Sequence, residues 1–461
     1  MTQLFGTNGI RGIIGEDMSS GFAHDIGRAW GSYLQKTQSS PHLAIATDAR
    51  LSNQMIKSAL ISGLLSTGVD VTDCGLAPTP ALQYAVHTSD EFSGGIIITA
   101  SHNPPEFNGI KGVDESGTEL TKTTEEEIEK HYFSKDFHTA DWKSLGKYCI
   151  NSSIIDRYID AIIESVDVDL IAKQKFHVVL DCGNGAGSVA TPALLKKLGC
   201  KVTELNCIAD GTFPAHPSEP LPENLSELIE TVPKVKADVG VAQDGDADRA
   251  IFVDHTGTYL WGDKTLSVVA EYLTKDSPNQ TVATPVTTSS CLADVVAANN
   301  CTLITTKVGS PIVAREMIKH KCIFGGEENG GLIFPSLHYC RDSAMSIAVL
   351  LEIMAKSQKS LKDLVLQIPV YEMFKTKMPC PNEKKRPLMD AVKKQLKTDP
   401  SIIRIDETDG IKFYLETGWV LMRPSGTEPL FRIYSEAKDA RTAKDLARAY
   451  QSLASDLISQ L

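Results

Sequence analysis

Three carboxylates at alternate positions, Asp244-Gly245-Asp246-Ala247-Asp248-Arg249, follow an apolar run over residues 237–242. In extended backbone, residues at i, i+2 and i+4 point the same way, so the three acids are expected to converge. Uncompensated, they would repel strongly, and a hard divalent cation removes that cost by taking oxygen ligands. An EF-hand is excluded, because its sixth position needs Gly and holds Arg249, and its twelfth needs Glu and holds His255. Oxygen ligands without a neighbouring His or Cys favour Mg²⁺ over Zn²⁺. An acidic surface turn is the plainer alternative.

A second stretch capable of chemistry runs from Gly94 to Gly112. Its β-branched run over 96–99 reads as a short buried strand. Pro104-Pro105 can neither donate to a ladder nor continue a helix, so Ser101 is held just past a strand's carboxyl end. Open α/β sheets place their ligands there. Asn108-Gly109 reads as a turn that brings Lys111 back toward the serine. A serine on a stiff loop with a lysine ten residues on is a candidate nucleophile with an electrophilic or acid–base partner. His102 is a doubtful base for Ser101, since adjacent residues in extended chain point apart. A polar turn is the alternative here too.

Two further loops suit a phosphate and a sugar, respectively. Arg423-Pro424-Ser425-Gly426-Thr427-Glu428-Pro429 combines hydroxyls, amides loosened by Gly426 and a guanidinium, which together make a phosphate nest, and Arg432 adds a second fork. Gly325-Gly326-Glu327-Glu328-Asn329-Gly330-Gly331 puts carboxylates and an amide on a pliable backbone, and a carboxylate accepts from two neighbouring hydroxyls at once. A hairpin loop and a simple turn are the respective alternatives. Asp181-Cys182-Gly183-Asn184-Gly185-Ala186-Gly187-Ser188 imitates a dinucleotide fingerprint, with Glu204 downstream, but Ser188 stands where the third glycine belongs. It reads as a structural strand-to-helix turn.

The elements that must carry these loops alternate. Helix 23–35, strand 43–47, helix 55–66, strand 69–74 and helix 81–87 lead into the serine strand, and an acidic helix over 123–130 with a threonine cap follows. After a linking helix over 154–166, strands are expected at 175–180, 201–205 and 237–242, with a helix at 188–198. A third round places helices at 265–272, 291–298 and 313–320 and strands at 281–285 and 303–306. Alternation of this kind means βαβ units and largely parallel sheets. The last ninety or so residues, with a helix at 388–396, strands within 410–422 and 430–435 and a terminal helix, read as α+β. The opening Gly6–Gly12 is too glycine-rich for regular structure. The expected domains are 1–150, 151–255, 256–370 and 371–461.

Composition bounds the partners. A chain of 461 residues exceeds one core, and a formal charge of −12 argues against nucleic acid or an anionic membrane. Residues 371–461 carry 16 Lys and Arg against 13 Asp and Glu, a mildly basic end on an acidic body. Ten scattered cysteines without a CxxC pair fit reduced thiols in a cytoplasmic protein. No run has the length of a membrane span, and monomer and homodimer are both open.

With the loops assembled, the sequence resembles the α-D-phosphohexomutases along nearly its whole length. The likeness rests on four motifs in the family's order: Thr-Ala-Ser-His-Asn-Pro around Ser101, Asp-Gly-Asp-x-Asp-Arg from Asp244, Gly-Glu-x-x-Gly around Glu327, and Arg-Pro-Ser-Gly-Thr-Glu-Pro from Arg423. The resemblance implies a four-domain fold, three similar α/β units and a C-terminal α+β domain around a central cleft. It implies that Ser101 carries a phosphoryl group and that Asp244, Asp246 and Asp248 hold Mg²⁺ against it. Glu327 and Asn329 would grip sugar hydroxyls, while Arg423, Ser425, Gly426 and Thr427 bind the non-reacting phosphate. Arg11, Lys111 and Arg249 match positions around the reacting group.

The implied reaction interconverts hexose 6-phosphate and hexose 1-phosphate through a bisphosphate, with hexose 1,6-bisphosphate as activator. Residues 5–12 look most like the phosphoglucosamine mutase branch, and the Glu-Glu-Asn-Gly-Gly loop like archaeal-type members, some of which accept several hexoses. Glucosamine phosphate is therefore the leading substrate and mannose or glucose phosphate the alternative. Many relatives have Ser and His where this chain has Asn329 and Gly331, and some have His at Ser310, so roles of those histidines do not transfer. A nicotinamide-dependent oxidoreductase and a non-catalytic sugar-phosphate sensor are the rival classes.

Overall fold

The computed structural model describes residues 4–6, 8–426 and 429–461. Packing divides the chain into two units, one running to Thr265 and including Asn329–Val365, the other made of Leu266–Glu328 and Leu366–Leu461. The first unit begins with a six-stranded sheet of β1 (Ile10–Ile13), β2 (His42–Thr47), β3 (Asp70–Leu76), β4 (Gly94–Ile98), β5 (Phe107–Asp114) and β6 (Tyr148–Ile150), in the order β1-β5-β4-β2-β3-β6. β2 is parallel to β3 and β4, and every residue of β4 is buried, as strands covered on both faces must be. β5 returns antiparallel to β4 and pairs antiparallel with β1. Helices Ser20–Thr37 and Asn53–Ser66 pack closely, the first capped by Ser19, which accepts from the Phe22 amide. Trp30 sits in this core edge-on to Phe5, beside Ile45, Ile96 and Ile98.

A second sheet in the same unit holds β7 (His177–Asp181), β8 (Lys201–Leu205), β9 (Val239–Gln243), β10 (Ala250–Asp254) and β11 (Tyr259–Leu260), ordered β11-β10-β9-β7-β8. β7 runs parallel to β8 and β9, whereas β9 and β10 are antiparallel and joined by the Asp244–Arg249 loop. Helix Ser343–Ser357, capped by Asp342, belongs to this unit and is buried along nearly its whole length.

In the second unit, β12 (Thr281–Pro285) lies between parallel partners β13 (Thr302–Thr306) and β14 (Phe324–Glu327). The C-terminal part is a five-stranded sheet ordered Glu372–Pro379, Leu430–Ala437, Gly418–Pro424, Ile411–Leu415 and Arg404–Asp406, all antiparallel, with helices Asn382–Leu396 and Ala440–Ser459. The architecture is four-domain α/β with mixed, mainly parallel sheets and an α+β end.

Several local expectations need correction. Gly6–Gly12 is not wholly irregular, because Ile10-Arg11-Gly12 pairs with β5 as β1. Asn108-Gly109 is no turn and lies within β5, so the chain reverses earlier, over the Pro104-Pro105 segment. A side chain at residue 109 would meet the Thr99 carbonyl at 2.4 Å and the Ile10 carbonyl at 2.6 Å, which is why the position is glycine. Among the described residues no helix is long and apolar enough to cross a membrane.

Candidate active site

β4 ends at Ile98, and Ser101 follows in a turn, fully buried, with φ of 51°. That left-handed backbone is uncommon for a residue with a side chain, and its neighbours must enforce it. The Ser101 amide donates to Thr99 Oγ1 at 2.8 Å. Its hydroxyl donates to Asp244 Oδ2 at 2.9 Å, across 143 residues of sequence. His102 does not point away: its Nδ1 is 3.4 Å from Ser101 Oγ, because the left-handed residue breaks the alternation of an extended chain.

The aspartates converge by a turn and not by extended-strand alternation. The Ala247 amide donates to the Asp244 carbonyl at 3.0 Å, and Ala247 is left-handed with φ of 56°. Asp244 Oδ1 accepts from the amides of Asp248 and Arg249, both at 3.1 Å. Thr79 secures the loop from the first sheet, its amide on the Asp246 carbonyl at 3.0 Å and its hydroxyl on Asp246 Oδ2 at 2.7 Å. Gly245 packs on the serine loop, where an added Cβ would meet the Ser101 carbonyl at 2.5 Å.

All three carboxylates are buried, with candidate ligand oxygens within 4.8 Å of one another. Asp246 Oδ1 and Asp248 Oδ1 are buried without a hydrogen-bond partner among the described residues. Buried carboxylate oxygens left unpaired are costly, and a hard cation satisfies them, so the donor set fits Mg²⁺.

Cations surround the trio. Lys111 Nζ donates to Asp246 Oδ2 at 3.2 Å and lies 3.6 Å from Asp248 Oδ2. Arg249 Nε is 3.7 Å from both Asp244 and Asp248, and its Nη2 donates to His102 Nδ1 at 3.2 Å. Arg11 donates to Asn103 Oδ1 at 2.6 Å. Arg341, two residues before helix Ser343–Ser357, pairs with Asp248 Oδ2.

The second unit carries the other candidate residues except Asn329. Glu327 ends β14, buried, and accepts from the Gly309 amide at 3.2 Å. Arg423 pairs with Asp409 at 3.1 Å and stands opposite Arg432 across adjacent strands. Lys385 donates to the Ser425 carbonyl at 2.7 Å, and Gly426 follows in a bend. Thr427 lies outside the described residues. Asn329, in the first unit, accepts from the Gly331 amide at 3.1 Å.

Comparison with known proteins decides what this arrangement belongs to. Sequence signatures of the phosphoglucomutase/phosphomannomutase alpha/beta/alpha domains I, II and III match residues 2–139, 156–257 and 261–371, and that of the C-terminal domain matches 376–451. The phosphoglucomutase/phosphomannomutase of Thermococcus kodakarensis is 44% identical over 100% of this chain and 99% of its own length. The phosphoglucosamine/phosphogalactosamine mutase of Sulfurisphaera tokodaii is 37% identical over 98% of this chain and 99% of its own. The crystal structure of a phosphoglucomutase/phosphomannomutase family protein from Burkholderia thailandensis superposes with a TM-score of 0.88 at 27% identity, covering 99% of this chain and 98% of that one.

The chain belongs to the phosphohexomutase family. It is an intramolecular phosphotransferase, and the rival oxidoreductase and sensor classes fall away. The phosphohexomutase uses the fingerprint-like turn structurally: Gly185 packs on Gly245, and the Ala186 amide donates to the Gly245 carbonyl at 2.9 Å.

Electrostatics in the buried cluster follow from desolvation and close charges. Burial, then Asp248 and Asp246, push the Asp244 carboxyl well above its ordinary range. Burial works the same way on Asp246, but Lys111, the Thr79 hydroxyl, Arg341 and Arg11 outweigh it and hold Asp246 below the usual carboxylate value. Burial and the Arg249 and Arg11 cations push His102 down to about 2, so its imidazole is neutral. Sequence reading missed Thr79, Arg341 and Lys385. Thr79-Pro80 at a helix start was the one available signal for Thr79; Arg341 and Lys385 carry no motif.

Proposed function

We propose that this phosphohexomutase carries a phosphoryl group on Ser101 and interconverts hexose 6-phosphate and hexose 1-phosphate, with glucosamine phosphate its main substrate. The observation that carries the reading is the Ser101 hydroxyl, buried and 2.9 Å from Asp244, one of an aspartate trio ringed by basic side chains. Asp244, Asp246 and Asp248, with the Ser101 phosphate, would hold Mg²⁺, which when bound neutralises charge on the transferring phosphoryl group.

Charge supports the assignment. Four basic side chains, Lys111, Arg11, Arg249 and Arg341, face the three aspartates, and a divalent cation would add two more positive charges. A buried cluster so charged calls for a phosphate dianion.

In the proposed reaction a sugar hydroxyl attacks the phosphorus of phosphoserine. The P–Oγ bond breaks, a P–O bond to the sugar forms, and the serine oxygen takes up the proton that the hydroxyl loses. Lys111, beside Asp246 and Asp248, is our candidate for handling that proton, with Arg11, Arg249 and His102 around the transferring group. The bisphosphate then returns its other phosphoryl to Ser101, and added hexose 1,6-bisphosphate would prime unphosphorylated enzyme.

We assign the non-reacting phosphate to Arg423, Ser425, Gly426, Thr427 and Arg432, and sugar hydroxyls to Glu327 and Asn329, within domains divided near residues 150, 255 and 370. Ser101→Ala is expected to abolish turnover of all three hexose phosphates while keeping the fold. Full activity in that variant would refute the carrier role. Comparing wild-type rates on glucosamine, glucose and mannose phosphates tests the substrate, and glucosamine phosphate should be fastest.

A further inference from the structure

Arg50 lies two residues past Asp48, beyond the end of β2, and its guanidinium is completely buried. Each of its five N–H groups is used. Nε donates to Asp48 Oδ2 at 3.1 Å. Nη1 donates to the carbonyls of Pro104 at 2.6 Å and Phe107 at 2.8 Å. Nη2 donates to the carbonyls of Ser101 at 2.9 Å and Asn103 at 2.5 Å. Four carbonyls from one seven-residue turn thus converge on a single rigid fork, a pattern that a lysine with its compact ammonium cannot reproduce.

The fork is itself fixed. Asp48 Oδ1 accepts from the Arg50 amide at 2.9 Å and the Asn53 amide nitrogen at 2.8 Å, and the Arg50 guanidinium stands over the Phe213 ring. Asp48 Oδ2 also accepts the Thr99 hydroxyl at 2.6 Å, and Thr99 Oγ1 accepts the Ser101 amide at 2.8 Å. Ser101 is therefore gripped on both sides, by Thr99 at its amide and by Arg50 at its carbonyl. Those contacts hold the left-handed φ of 51° that aims its hydroxyl at Asp244. Holding the Asn103 carbonyl also fixes the residue whose side chain receives Arg11.

We infer that Arg50, acting through Asp48 and Thr99, is the positioning residue for phosphoryl transfer, setting where the Ser101 oxygen and Arg11 meet the transferring group without touching substrate. The inference rests on Ser101 being the phosphoryl carrier. Displacing a nucleophile by about 1 Å is enough to lose roughly 100-fold in rate, so the effect belongs on kcat and on serine phosphorylation, not on substrate affinity.

The test begins with wild-type protein, Mg²⁺ and hexose 1,6-bisphosphate, followed by intact mass. A wild type that gains no phosphoryl overturns the carrier reading and this inference with it. With loading established, Arg50→Lys is expected to lower kcat and the rapid-quench rate of Ser101 phosphorylation together by about 100-fold, with KM held. A natively folded Arg50→Lys protein with wild-type kcat, or with its loss confined to KM, overturns the positioning role while the carrier stands. Should Arg50→Lys fail to fold, the nearly isosteric Thr99→Val decides. A kcat lowered about tenfold at unchanged KM, the scale of one lost hydrogen bond, supports the assembly, and an unchanged kcat overturns it.

Discussion

At the scale of single residues, the cluster around Ser101 is an exchange between desolvation and charge. Asp246→Asn removes a proposed cation ligand and half the charge that pairs with Lys111. It should shift the Mg²⁺ activation curve of turnover to higher concentration by at least roughly 10–100-fold, the range seen when groups supporting a metal are lost; a superimposable curve would contradict the metal assignment. Arg423→Ala should raise KM for the phosphosugar more than it lowers kcat, because uniform binding of a non-reacting phosphate acts on KM. Equal losses in kcat and kcat/KM would instead place Arg423 in the transition state.

A group outside the cluster gives an independent pH prediction. Burial pushes Glu125 up to about 7, against the opposing pull of Lys122, 3.2 Å away. Its folded pKa lies above its unfolded one, so the folded state holds more protons and stability falls as pH rises from about 4.5 toward 7. Glu125→Gln should raise the unfolding free energy by about 1 kcal/mol at pH 8 and have little effect at pH 4, a modest gain because the carboxyl keeps contact with water. Denaturant midpoints at the two pH values read the difference, and a pH-independent effect would contradict it.

At the scale of elements, the loops that matter leave the carboxyl ends of parallel strands: Asp48 and Arg50 after β2, Ser101 after β4 and Asp244 after β9. Asp48 and Arg50 carried no signal of this, but the Ser101 and Asp244 loops were legible in the sequence, because buried β-branched runs followed by Pro-Pro or by an Asp-Gly-Asp series have few other readings. Other features were not. The Asn108-Gly109 pair looks like a turn, but its glycine answers to two carbonyls that crowd β5. Helix Ser343–Ser357 is buried almost all round and so lacks the amphipathic period by which a helix is recognised. Arg341 was invisible for the same reason, since it acquires its partner only when that helix docks. The direction of the His102 side chain was misjudged because nothing local announces that Ser101 is left-handed; the contacts that impose it come from residues some fifty positions earlier.

Two substitutions test the packing that sets these elements. Trp30→Ala empties the centre of the first core and should cost about 3–5 kcal/mol of stability, read by urea unfolding. Gly245→Ala puts a methyl carbon 2.5 Å from the Ser101 carbonyl, a buried backbone atom, so the two loops must shift apart and turnover should fall. Wild-type turnover in Gly245→Ala would mean that the serine and aspartate loops need not be in register.

At the scale of the whole molecule, the relatives divide by hexose. The Thermococcus kodakarensis protein is named for glucose and mannose phosphates and the Sulfurisphaera tokodaii protein for two amino-hexose phosphates, at 44% and 37% identity. The chain spans essentially the full length of both. In the proposed reaction every hexose meets the same carrier, which makes the covalent state of Ser101 the most direct measurement of the account. Wild-type enzyme incubated with Mg²⁺ and hexose 1,6-bisphosphate, digested and mapped by mass, should carry its phosphate on Ser101 and surrender it when hexose phosphate is added. Phosphate found on another residue, or an enzyme that turns over without ever becoming phosphorylated, would contradict it.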